Sequence, residues 1–256
     1  MSLDACADLV SRADPDRFAA ALAAPVAARR VLLPLYAFNV EISRAPWVTR
    51  EPMIAEMRLQ WWRDALEEIG EGRPARAHEV VAALAPLLDR AAAEMLGRAV
   101  AARRWDIHSE PFTDEADFAA YLDATSGGLM WTAARALGAA PETEPVVRDF
   151  AWGAGLAAFL RAIPELEARG RKPLPDGRPG AVQTLAREGL SRISRARRSR
   201  HGLVHSAAPA LYAGWQAAPV LNQAAADPPR VADGTLGLSE FSRRARLLAL
   251  GLTGRW

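Results

Sequence analysis

Two pairs of side chains in this 256-residue chain have the spacing of a metal site. Asp64 and Glu68 stand four residues apart in a stretch of helical periodicity. Their carboxylates would share one face, an arrangement that suits a hard divalent cation. His201 and His205 have the same spacing, which on a helix presents two imidazoles to a zinc ion. Neither pair is complete. The stretch carrying the two acids puts its apolar stripe at Ile54, Met57, Trp61, Ala65, Leu66 and Ile69, so the acids read as a solvated face. His201 is not followed by the glutamate that serves as general base in metalloproteases, and the histidine pair reads as coincidence or packing. His78 and His108 are isolated. No serine sits in a Gly-x-Ser-x-Gly turn, so acyl-hydrolase chemistry has no nucleophile.

The next features are cationic and aromatic. Arg187, Arg192, Arg195, Arg197, Arg198 and Arg200 face a single acid, Glu188, within one stretch. Such a run forms a solvated helix face, or it meets anionic lipid or an acidic protein partner. No aromatic residues interleave with the arginines, which argues against nucleic acid as a partner. Near the C-terminus Arg243, Arg244 and Arg246 lie beside Leu247, Leu248 and Leu250. That basic amphipathic helix can rest on a membrane surface or close a bundle. Tyr36, Phe38, Trp47, Trp61 and Trp62 read as core, or as the wall of an apolar cavity.

The elements that would position these residues are helices throughout. Gly70 and Gly72 end the helix that holds Trp61. Thr113 or Asp114 caps a second, with its stripe at Phe118, Tyr121, Leu122, Thr125 and Leu129 and its end at Gly138. A third starts near Pro145 and runs past Arg161, with Pro164 expected to kink or weaken it. Residues 170–180 form a Pro/Gly-rich loop. Helices are expected again over 182–200, 203–215 and 239–252, with a loop at 227–234. No alternating strand pattern and no fixed-period repeat is present. The reading is one all-α domain over residues 1–256, large enough for a real core.

Half of the residues are hydrophobic, and the formal net charge is only +2 although the pI is about 9.1. Lys172 is the sole lysine, and Cys6, the sole cysteine, excludes a disulfide framework. An Ala- and Arg-rich composition accounts for the basic pI without invoking nucleic acid. The first residues carry acid where a secretory signal carries base, and the apolar runs at 31–38 and 80–88 are too short to span a bilayer. A cytoplasmic location is expected, with attachment to the inner membrane surface left open.

Two segments carry a family resemblance. Leu33-Pro34-Leu35-Tyr36-Ala37-Phe38 resembles the entry to the first signature helix of the squalene/phytoene synthases. Arg161, Gly170-Arg171 and Leu174-Pro175 resemble the second signature, and Tyr121 with Ser126-Gly127 resembles a helix between them. The resemblance is strongest over residues 30–175. It implies an isoprenoid-synthase-like helical bundle around a central cavity, walled by Tyr36, Phe38, Ser43, Arg44, Trp47, Ala158, Arg161, Ala162, Leu166 and Arg171. In that family magnesium ions held by aspartates draw diphosphate off an allylic carbon. Here the aspartate positions of the first motif are Ser43 and Trp47, with Arg44 at a further one, and those of the second are Ala162 and Leu166. The family's Gln and Asn positions are Gly155 and Ala158.

Nearby acids are poor substitutes. Glu41 points about 200° from Ser43 around a helix, whereas Glu165 lies only about 100° from Leu166 and can reach the cavity edge. Its neighbours Arg161 and Arg169 make ion pairing the readier use. The resemblance therefore implies a member without metal-dependent chemistry and with no catalytic residues or cofactor, bound to an isoprenoid or lipid through Arg161 and Arg171. Or it implies a role in membrane-complex assembly in place of lipid binding, because one branch of the family that lost the aspartates serves as an assembly factor for respiratory complex I. The alternatives are an active head-to-head prenyltransferase with relocated magnesium ligands, and a protein scaffold with a collapsed cavity.

Overall fold

The computed structural model describes residues 2–49, 51–108 and 110–256, and every regular element among them is helical. The chain opens with α1 (Ser2–Ala13) and α2 (Pro15–Ala23). Asp14 makes the corner between them: its carboxylate accepts the Arg17 N–H at 3.0 Å, and Pro15 starts the new helix. In α3 (Val26–Arg44) every residue from Leu32 to Val40 is buried. A stretch apolar on all sides belongs in the interior of a bundle, and α1 and α2 pack against it.

α4 (Pro52–Gly70) buries Ala55, Leu59, Trp62, Ala65 and Leu66. Ala65 and Leu66 belong to the expected stripe, and Trp61 and Ile69 pack against the core, but in the first half of the helix the buried face is turned by one residue, about 100° around the axis. Ile54 and Met57 are exposed instead. Trp62 decides the rotation, since its ring meets Phe38 edge-on at 5.4 Å between centroids. Asp64 and Glu68 lie on the outer face, and both approach Arg76, at 3.7 and 2.7 Å. They pin the loop after α4 instead of holding a cation.

α5 (Glu79–Leu84) and α6 (Arg90–Ala102) follow, then a short 3₁₀ turn, Arg103–Asp106. α7 (Glu115–Leu122) is capped by Asp114, which accepts from the Asp117 N–H at 2.8 Å. It runs through a wider π turn, Asp123–Gly127, into α8 (Gly128–Ala136). α9 (Glu144–Ala168) has Pro145 in its first turn and continues unbroken through Pro164. α10 (Pro179–Arg198) lies along α9 so closely that a Cβ on Gly153 would stand 2.6 Å from Ile193. Its arginines are largely engaged. Arg195 pairs with Asp149 at 2.5 Å, Arg192 covers the Trp152 ring at 4.2 Å, and Arg197 donates to the Trp256 carbonyl at 3.0 Å.

The helix expected at 203–215 is a buried 3₁₀ segment, Ala208–Gly214. Phe150 presses so close that a Cβ on Gly214 would meet it at 2.5 Å. The chain between the histidines is not one helix either. Arg200–Gly202 is a single 3₁₀ turn, and Leu203 is extended. His201 and His205 therefore share no helix face. α11 (Ala217–Ala226), a short α12 (Pro229–Ala232) inside the expected loop, and α13 (Glu240–Thr253) complete the fold.

Candidate functional site: an arginine-lined cavity

A cavity of about 910 Å³ opens between the C-terminal half of α3 and the middle of α9. Helical spacing builds both walls. Asn39, Ser43 and Trp47 follow one another at four-residue steps on α3 and just beyond it, with Val40 and Arg44 alongside. Opposite them, Gly155, Ala158, Ala162, Leu166 and Arg169 come from α9 and its end. The α1–α2 corner supplies Arg12, Asp14 and Arg17, and the π turn supplies Thr125 and Ser126. Tyr121 and Arg103 form part of the lining beside Phe159.

Of the residues expected at a site, Ser43, Arg44, Trp47, Ala158, Ala162 and Leu166 line this space. Four others do not. Phe38 is fully buried against Trp62, on the far side of α3. Tyr36 is buried, its hydroxyl meets no hydrogen-bond partner among the described residues, and burial raises its pKa well above the ordinary phenol value. Arg161 leaves the cavity to bond Asp16 at 2.9 Å. Arg171 packs between Trp47 and Trp105, 5.1 Å from each ring. It donates to the carbonyls of Trp105, at 3.0 Å, and Asp106. The acidic head group assigned to Arg161 and Arg171 would have to be met by other arginines.

The geometry supplies them. Arg12, Arg17, Arg44, Arg103 and Arg169 line the cavity. Among the described residues no carboxylate pairs with Arg12 or Arg44, and both are exposed to the opening. Arg169 stacks on the Trp47 ring at 4.5 Å, which holds its guanidinium at the rim. Arg103 belongs to a buried network below: it donates to Asp106 at 3.0 Å and to the Tyr121 hydroxyl at 2.8 Å, while Tyr121 donates to Asp106. Burial raises the Tyr121 pKa strongly, so this phenol stays neutral.

Among the described residues only two carboxylates, Asp14 and Glu165, line the same space, and both are occupied. Asp14 caps α2 and meets Arg17 at 2.6 Å, and Glu165 meets Arg169 at 2.6 Å. Among the described residues no three His, Cys, Asp or Glu side chains gather to hold a metal ion. Magnesium takes about six hard oxygen ligands, and a surplus of guanidinium charge repels it. The residues present do not fit the ion. Nor does the neighbourhood leave room for the family's glutamine: a Cβ on Gly155 would lie 2.6 Å from the Ser126 Cβ.

Sequence reasoning missed Asn39. It is 5% exposed and lines the cavity, and among the described residues no hydrogen bond reaches its carboxamide. The carboxamide opens onto the cavity, where it can donate to or accept from a polar ligand atom. The available signal was a single polar side chain in the apolar run Leu32–Val40, four residues before Ser43. Arg12 and Arg17 gave no local signal, because their place depends on the α1–α2 corner folding back over α3.

Comparison with known proteins bears on this geometry. The family profile of squalene/phytoene synthase matches residues 10–236. A dehydrosqualene synthase crystallised in complex with a ligand superposes with a TM-score of 0.79 at 14% identity, over 97% of this chain and 95% of the other. A squalene synthase from Alicyclobacillus acidocaldarius superposes at 0.58 with 18% identity, over 99% of this chain and 94% of the other. Two further relatives carry the name of NADH dehydrogenase (ubiquinone) complex I assembly factor 6. The Mus musculus protein is 24% identical over 174 residues, which is 66% of this chain and 52% of that protein. The Drosophila melanogaster homolog is 36% identical over 74 residues, which is 28% of this chain and 22% of the other. The matched stretches thus span about half or less of those relatives.

Proposed function

We propose that this chain, which belongs to the squalene/phytoene synthase family, has lost metal-dependent prenyl transfer and uses the family's cavity to hold an isoprenoid or other lipid with an anionic head. We place that binding in the service of respiratory membrane-complex assembly, a role supported by the names of the mouse and fly relatives. One observation carries the binding reading: of the five arginines that line the cavity, Arg17, Arg169 and Arg103 pair with Asp14, Glu165 and Asp106, which leaves Arg12 and Arg44 at the opening with no carboxylate among the described residues. Arginine matches phosphate and carboxylate oxygens through paired N–H donors and needs no bridging metal. The apolar wall of Leu9, Val40, Leu122, Phe159 and Leu166 suits a hydrocarbon chain. The volume falls within the roughly 300–1,000 Å³ of small-molecule sites.

Metal independence is the test. Farnesyl diphosphate, used as a probe in calorimetry, is expected to bind with a Kd that changes less than about twofold between magnesium and EDTA. Strengthening of tenfold or more by magnesium would contradict the reading. Organic extraction of purified protein, followed by mass spectrometry, is expected to release a lipid with an acidic head.

A further inference from the structure

The outer face of α13 carries an apolar stripe that the fold leaves uncovered. Phe241, Leu248 and Leu252 are 82%, 65% and 78% exposed. With Ala245 they fall within an arc of about 60° on the helix. This face does not await packing inside the chain, because the opposite one is already fixed. Arg243 bonds Asp16 at 2.6 Å and lies over the Trp215 ring at 5.4 Å, and Leu250 is buried. Beyond the helix Gly254 takes a left-handed turn (φ 64°), and Trp256 is buried against Phe150 at 4.9 Å. The apolar surface also continues past the helix. A Cβ on Gly251 would stand 3.6 Å from the Ala23 carbonyl, and Leu22 and Val26, near Ala23 in sequence, are both exposed.

Charge decides what this surface suits. From Phe241 to Trp256 the chain holds four arginines and no acid. Arg244 pairs with Glu240 at 2.8 Å, while Arg246 meets no carboxylate among the described residues. Exposed Arg30, one turn beyond Val26, meets none either. An apolar stripe edged by arginines is the pattern of a helix lying in the plane of an anionic bilayer, where arginine stems reach up to the head groups. A second copy of this chain would bring the same arginines face to face. No helix among the described residues is long and apolar enough to cross a membrane, so attachment would be at the surface.

We propose that the outer face of α13, with Leu22 and Val26 beside it, docks this protein onto an anionic lipid bilayer. The surface is separate from the cavity and does not depend on what the cavity holds. The test is co-sedimentation with vesicles of phosphatidylcholine alone and of phosphatidylcholine with phosphatidylglycerol. Wild-type protein is expected to pellet with the anionic vesicles and to be released by raised salt. The variant F241S/L248S/L252S is expected to lose about tenfold or more of this partitioning with an unchanged melting curve, since all three side chains are exposed. The variant R244A/R246A is expected to lose the preference for anionic vesicles. Wild-type protein remaining in the supernatant would overturn the proposal, as would equal pelleting of the triple variant. So would a dimer in solution that the triple variant abolishes, because it would assign the face to a second copy.

Discussion

Replacing Asp106 with alanine is expected to lower the unfolding free energy by about 3–5 kcal/mol, the largest effect of any single change considered. Asp106 is 4% exposed, and its carboxylate is the acceptor for both Arg103 and Tyr121 beneath the cavity. Without it the guanidinium of Arg103 is left buried without a counter-charge, and its Nε already lacks a partner. The damage is therefore the cost of an orphaned charge, greater than the worth of one ion pair. Asp106→Asn keeps an acceptor for the phenol and should cost less. Asp64→Ala, at an exposed pair, should cost only about 0–1 kcal/mol. Urea denaturation measures all three. A loss for Asp106→Ala no greater than that for Asp64→Ala would mean that water reaches the network.

The second large effect is on binding. Ala158 and Ala162 open into the cavity from one face of α9, and neither is buried in the core. Phenylalanine at both positions would occupy the space claimed for the hydrocarbon chain. No packed neighbour has to move, so the usual cost of overfilling a core does not arise. The double variant A158F/A162F is expected to bind farnesyl diphosphate about 100-fold more weakly, about 2.7 kcal/mol, with its melting temperature unchanged within a few degrees. Undiminished binding would place the ligand elsewhere. This variant leaves every cavity arginine intact, so it separates the role of the apolar wall from that of the charges.

The fold was readable because its cues are local. Asp114 as a cap, Pro145 in a first turn and Gly138 at an end each act within a few residues. The site was readable only in part. Ser43, Trp47, Ala162 and Leu166 were named through the family resemblance, and all four line the cavity. Arg161 and Arg171 were misplaced because their partners, Asp16 and the carbonyls of Trp105 and Asp106, are distant in sequence. A guanidinium on a long, flexible stem goes to whichever acceptor the tertiary fold brings near, and helix periodicity does not specify that choice. The rotation of α4 was lost for a related reason. Ile54 and Ala55 both continue a stripe through Ala65 and Leu66, and only the contact of Trp62 with Phe38 distinguishes them. The stretch at 203–215 has a helical composition, yet Pro209 and the close approach of Gly214 to Phe150 favour a tighter winding.

The proposed loss of metal-dependent prenyl transfer rests on the cavity wall. Where a magnesium cluster would need several converging carboxylates, this wall presents Ser43, Arg44, Trp47, Ala162 and Leu166. The most direct measurement is pyrophosphate release by purified wild-type protein from farnesyl or geranylgeranyl diphosphate with magnesium. Release no faster than in a protein-free control is expected at every magnesium concentration. Sustained turnover that requires magnesium and is abolished by EDTA would contradict it.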